Sequence, residues 1–244
     1  MPRSRPARIP SKLVVGPRAV VFDFDGVIAN SEPLHFRALS EVLAATGVHL
    51  SEGDYYAKYL GFDDVGTFAA VAADRTLAWT PGEVAELIRR KAEVLERLER
   101  GVSVLFPGAA DAIRRLAARC PLAVASGALR PEIVRVLDHE GLTPNFRAIV
   151  ASGDTAASKP APDPYLRAVA LLSERLGTDI PPGDCIAVED SVWGLASARA
   201  AGLRTVAVTH TYSIDVLKTA ADTVIEHLDG LSWELLSQLI HHES

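Results

Sequence analysis

Sulfur is scarce in this chain: 244 residues hold one methionine and two cysteines, Cys120 and Cys185, which lie far apart and without CxxC spacing. That pattern excludes a disulfide framework and a thiolate metal site, and fits a reducing, cytoplasmic setting. No apolar run approaches the roughly 20 residues of a membrane-spanning helix. The first residues carry Arg3, Arg5, Arg8, Lys12 and Arg18 without an apolar stretch, so a secretory signal is not expected. Pro2, Pro6, Pro10 and Pro17 interrupt the same segment, and residues 1–18 read as a flexible basic tail. Basic charge is also in deficit, with 25 Lys and Arg against 31 Asp and Glu and a formal net charge of −6. A nucleic-acid binder would show a basic excess. The expected partner is therefore a small molecule, with neither nucleic acid nor membrane involved.

Hydrophobic residues make up 48% of the chain. A chain of this size buries roughly 70–75% of its unfolded surface and needs no metal to hold a core. Ala19-Val-Val-Phe-Asp-Phe24 is a β-branched and aromatic run ending in acid and then Gly26, which reads as a buried strand entering a turn. Comparable runs follow at 122–126, 148–151, 185–189 and 204–208. Helical stretches at 109–119, 131–140, 164–176 and 192–201 alternate with them, the last closed by Gly202. This rhythm predicts an α/β fold, a Rossmann-like parallel sheet with helices on both faces and ligands beyond the carboxyl ends of the strands.

About seventy mostly helical residues separate the first strand from the next βα unit. The expected domains are a core of residues 19–32 and 105–244 with a helical insertion over 33–104. In the insertion, 33–46 reads as one helix and Pro81-Gly-Glu83 opens another that runs to about residue 100. Lys91 falls where the apolar stripe of Val84, Leu87, Ile88, Leu95 and Leu98 should continue. It either snorkels to solvent or stands over an anionic substrate.

The chemistry-bearing residues gather at predicted strand ends: Asp23 and Asp25, Ser126, then Glu189 and Asp190, with Lys159 on a loop before a helix. Asp23 and Asp25 share a side if strand geometry holds through both. With Glu189 and Asp190, up to four carboxylates surround one point, which calls for a cation. Oxygen ligands without His or Cys select Mg2+. A cation, a lysine and a hydroxyl suit a phosphoryl group. One acid is then free to attack phosphorus while another protonates the leaving oxygen.

Phe22-Asp-Phe-Asp-Gly-Val-Ile28, Ser126-Gly127, Lys159-Pro-Ala-Pro-Asp163 and Val188-Glu-Asp-Ser-Val-Trp-Gly194 resemble, in order, the four motifs of the haloacid dehalogenase superfamily. Within it the chain is similar to the subgroup of β-phosphoglucomutase and sugar-phosphate phosphatases, which have a helical cap after the first motif. The resemblance implies Asp23 as nucleophile and metal ligand, and Asp25 as general acid/base that gives its backbone carbonyl to the metal. It also implies Ser126 and Lys159 on the phosphoryl oxygens, Asp190 with Glu189 in the metal shell, and Asp163 as a helix cap. Gly127, Arg130, His35, Lys91 and Gly61 are the expected substrate contacts.

Asp25 argues against dehalogenation, which needs no proton donor. The resemblance thus implies a Mg2+-dependent phosphatase acting on a sugar phosphate through an aspartyl-phosphate, most simply a monomer. A phosphomutase is the alternative, although its relatives place Arg and Lys in the cap loop that here reads Tyr59-Leu-Gly-Phe-Asp-Asp64. A third reading, a regulatory module that binds Mg2+ and phosphate without turnover, has no use for a cap or for Asp25.

Overall fold

The structure, a computed structural model, describes residues 16–60 and 62–241. Strand β1 (Ala19–Phe22) is followed by helices α1 (Glu32–Ala44), α2 (Glu52–Lys58), α3 (Asp64–Arg75) and α4 (Pro81–Glu99). The chain continues through α5 (Ala109–Ala117), β2 (Leu122–Ala125), α6 (Arg130–His139), β3 (Phe146–Val150) and α7 (Asp163–Leu176). It ends with β4 (Cys185–Glu189), α8 (Val192–Ala200), β5 (Arg204–Val208), α9 (Ile214–Leu217), β6 (Thr223–Ile225) and α10 (Trp233–His241). The last strand and the last two helices had no clear signal in the sequence. β6 has only three residues, all half-buried, so it shows neither a full apolar run nor a clean alternation.

All pairings are parallel, in the order β3-β2-β1-β4-β5-β6. The period of two along β1 sends Val20 and Phe22 to one face, where they pack with Ile113, Ile133 and Leu236. Ala19 and Val21 face Tyr165, Ala168 and Ala198 on the other. Burying both faces explains why the strand is apolar throughout; each large side chain so buried contributes about 1.5–3 kcal/mol. Strand order reverses beside β1, so the crevice beyond β1 and β4 is the place where such a sheet receives a ligand.

Helices α1 to α4 enclose an apolar cluster of their own, including Leu39, Leu43, Tyr55, Phe68 and Leu87. Thr80 and Glu83 form a reciprocal capping box at the start of α4, with Pro81 in its first turn. Two crossing segments connect this unit to the sheet. Ala29 bridges Leu105, the Asn30 N–H donates to Val104 O at 2.7 Å, and the Phe106 N–H donates to Ile28 O at 3.0 Å.

Residues 1–15 of the expected tail, and Gly61, lie outside the described residues. The remainder of that tail is tied down. Gly16 lies so close to the Trp233 ring that a Cβ there would overlap it, and the Arg18 N–H donates to Asp184 O at 2.8 Å. The capping role for Asp163 also fails. It is the first residue of α7, one position inside the helix, and no side chain caps that end.

Candidate active site

Sheet register assembles the site. Phe22 is paired with Val188, and the Asp23 N–H donates to Val188 O at 2.9 Å, so the residue after β1 sits beside the end of β4. Carboxylate oxygens of Asp23, Glu189 and Asp190 lie within 4.8 Å of one another, all three residues buried. Three carboxylates in that space repel, and the arrangement suits a hard divalent cation.

The backbone keeps room for the acids. Gly26 has φ 76°, and a Cβ there would lie 2.0 Å from Asp190 Oδ2. A Cβ on Gly194, in the first turn of α8, would lie 1.9 Å from Glu189 Oε1. Both glycines are therefore fixed by what they face.

Glu189 is fully enclosed, and its two oxygens are already served. Oε1 accepts from Lys159 Nζ at 2.6 Å and from the Tyr165 hydroxyl at 2.7 Å. Oε2 accepts from the Ser191 hydroxyl at 3.1 Å and from the N–H groups of Asp190 and Ser191. Glu189 thus anchors Lys159, which also reaches Asp23 Oδ1 at 2.9 Å. The Phe24 N–H donates to that same oxygen at 2.7 Å. Oδ2 of Asp23 has no hydrogen bond among the described residues.

Asp25 stands apart from the trio. β1 ends at Phe22 and the chain turns through Gly26, so strand geometry does not hold through both acids, and three carboxylates meet where four were expected. The Asp25 carboxyl accepts from the Ser31 hydroxyl at 2.6 Å. Ser126, buried at the end of β2, donates its N–H to Val150 O at 3.0 Å, and its Oγ accepts from the Ala128 N–H at 3.1 Å. Its hydroxyl proton has no acceptor among the described residues. Gly127 is exposed beside it. Arg130 is exposed, donating to Ile149 O at 2.9 Å and pairing with Asp154.

Burial, with the neighbouring negative charges, shapes the titration. It raises the carboxyls of Asp23 and Asp25 to about 7, and that of Asp190 to about 8. Burial pulls the Lys159 ammonium the other way, but Asp23 and Glu189 outweigh it and hold the pKa above its ordinary value.

On the side of the inserted unit, Lys91 is only 5% exposed, which overturns the snorkelling alternative. Its ammonium pairs with Asp64 and lies 3.1 Å from His35 Nδ1. An ammonium only donates, so Nδ1 accepts and the ring proton sits on Nε2. Burial first, then the charges of Lys91 and Arg135, push His35 down to about 3. Asp63 caps α3 by accepting from the Gly66 N–H at 2.7 Å.

Several participants were not anticipated. The Thr211 hydroxyl donates to Asp190 Oδ2. His210 Nδ1 lies 2.9 Å from Gly26 O while its ring stacks on Phe106. Their position just after β5 on the ligand-bearing face was the available signal. Ser31 and Tyr165 had no comparable signal.

Residues 17–202 match the haloacid dehalogenase-like hydrolases. The chain belongs to that family. Protein CbbY of Rhodobacter capsulatus is 32% identical over 229 residues, covering 91% of this chain and 98% of the relative. Fructose-1-phosphate phosphatase YqaB of Escherichia coli is 31% identical over 189 residues, covering 78% and 95%. A CbbY variant from Rhodobacter sphaeroides, solved with xylulose-(1,5)bisphosphate, superimposes with a TM-score of 0.77 at 28% identity, covering 88% of this chain and 96% of that one. Among haloacid dehalogenase-like hydrolases, then, the relatives named with a sugar phosphate match 78% and 88% of this chain. No helix among the described residues is long and apolar enough to cross a membrane.

Proposed function

We propose that the protein is a Mg2+-dependent phosphatase that hydrolyses a small sugar phosphate through an aspartyl-phosphate on Asp23. The observation that carries this is the state of Asp23. One oxygen is pinned by Lys159 and the Phe24 N–H, the other is unengaged, and a second acid, Asp25, is held nearby by Ser31.

Asp23 and Asp190, with the backbone carbonyl of Asp25, would hold Mg2+, and Glu189 would support them from behind. When bound, the ion supplies positive charge beside the phosphoryl oxygens. Lys159 and the Ser126 hydroxyl orient the phosphoryl group. The unengaged oxygen of Asp23 attacks phosphorus, the ester P–O bond breaks, and Asp25 gives its proton to the leaving oxygen. Asp25 then takes a proton from the water that attacks the aspartyl-phosphate, which releases phosphate and restores both acids. The unit of residues 33–104 would act as a cap that keeps bulk water from the intermediate.

The test is inorganic phosphate release from a panel of sugar phosphates, with Mg2+ and with chelator, alongside conversion of β-glucose 1-phosphate. Metal-dependent release concentrated on a few esters is expected. Conversion to glucose 6-phosphate faster than phosphate release would replace this reading with a phosphomutase.

A further inference from the structure

The part of the site contributed by the inserted unit and by α6 has a charge balance of its own. Lys91 pairs with Asp64, which opens α3, and touches His35 on α1. Arg135 on α6 pairs with Glu99 at the end of α4. These two are the cations that act on the ionisable groups between Asp25 and the inserted unit: Lys91 on Glu32, and both on His35 and Glu132. Each already has a carboxylate partner. His35, whose Nδ1 accepts from Lys91, is kept neutral at physiological pH by burial and by the charges of both. Glu32, whose carboxyl accepts from the Tyr55 hydroxyl, and Glu132, which accepts from the Leu129 N–H, have no ion-pair partner among the described residues, and burial raises both carboxyls above their ordinary value. Both face Asp25 electrostatically.

We infer that the substrate carries a single phosphoryl group and a leaving group that is uncharged or cationic, because Asp64 occupies the ammonium of Lys91 that a second anion would need. This inference rests on the phosphatase reading and names its substrate class. A second phosphoryl group reaching Lys91 would have to displace Asp64 and then stand beside that carboxylate, Glu32 and Glu132 in a partly buried space where like charges are poorly screened. Hydroxyl groups meet no such barrier. The carboxylates of Asp64 and Glu132 accept from them, and the Nε2–H of His35 is a donor.

The experiment compares matched esters on the full-length protein with saturating Mg2+: fructose 1-phosphate against fructose 1,6-bisphosphate, and xylulose 5-phosphate against xylulose 1,5-bisphosphate. Within at least one pair, kcat/KM for the monophosphate is expected to exceed that for the bisphosphate by roughly tenfold or more, and the gap to narrow as salt rises. Asp64→Asn should narrow it several-fold by freeing Lys91, with folding checked by thermal melting. If Asp64→Asn does not fold, the salt series on the parent protein still decides. Equal or better turnover of the bisphosphates would overturn the inference while leaving the phosphatase reading intact, and so would a ratio that neither salt nor Asp64→Asn moves. No phosphate released from any ester would instead remove the phosphatase reading, and this inference with it.

Discussion

The sheet end and the inserted unit both hold clusters of charge, but they are built by different means. At the sheet end, Asp23, Ser126, Glu189 and Asp190 stand at or just after parallel strands, and backbone register alone brings them together. In the inserted unit, His35, Asp64 and Lys91 come from three separate helices and meet only through side-chain packing. The first cluster includes an unengaged oxygen of Asp23 and is arranged so that it could hold a cation. In the second, the one ammonium already has a carboxylate partner in Asp64. On the proposed reading, reaction chemistry rests on the sheet end and substrate choice on the side-chain assembly, which changes more readily because no strand register holds it.

The largest expected effect comes from breaking the first cluster. Asp23→Asn should lower phosphate release by at least about 10^3-fold, since no other described carboxylate has both the Lys159 contact and an unengaged oxygen. The fold should survive, because one of three crowded carboxylates is removed and repulsion falls. Steady-state rates beside a thermal melt check both halves. A variant as active as its parent would remove Asp23 from the chemistry.

A smaller effect tests whether backbone geometry holds that cluster together. Gly26→Ala places a Cβ in a left-handed turn and against Asp190 Oδ2. Asp190 must move, so the Mg2+ concentration for half-maximal activity should rise by roughly 10–100-fold, the usual cost of disturbing a ligand's supporting geometry. An unchanged half-saturation would mean that Asp190 is not a ligand.

The same contrast explains what the sequence could reveal. Asp23, Ser126 and Asp190 were legible because acids and hydroxyls at the ends of apolar runs gather beyond the carboxyl ends of a parallel sheet, and Lys159 because it lies on a loop between a strand end and a helix on that same face. The separation of Asp25 was not, since it depends on where β1 stops, and a shift of one residue changes the facing of every side chain beyond it. Lys91 was visible as an anomaly in an apolar stripe, yet its burial required Asp64, 27 positions away on another helix. The pairing of Arg130 was not legible, because Asp154 follows only after β3. Among the described residues the helical unit was readable as helices but not as a charge network, because periodicity reports burial and is silent about which polar groups find each other.

The mildest prediction belongs to that network and concerns stability. His35 is held near a pKa of about 3 by burial and by the charges of Lys91 and Arg135, against an ordinary value of 6.5. Below pH 6.5 the unfolded chain therefore binds a proton at this residue that the folded chain refuses. Stability from a neutral His35 is complete above 6.5 and is lost as pH falls toward 3, by up to about 1.4 kcal/mol per pH unit. His35→Gln keeps an acceptor for Lys91 and cannot titrate. Urea unfolding of parent and variant at pH 7, 6 and 5 should show the parent losing ground to His35→Gln at each acid step. Carboxylates elsewhere titrate in both proteins and cancel from the difference. Parallel curves would mean that His35 accepts a proton in the folded state, and that the pairing of Lys91 with Asp64 leaves more negative charge around it than the two cations offset.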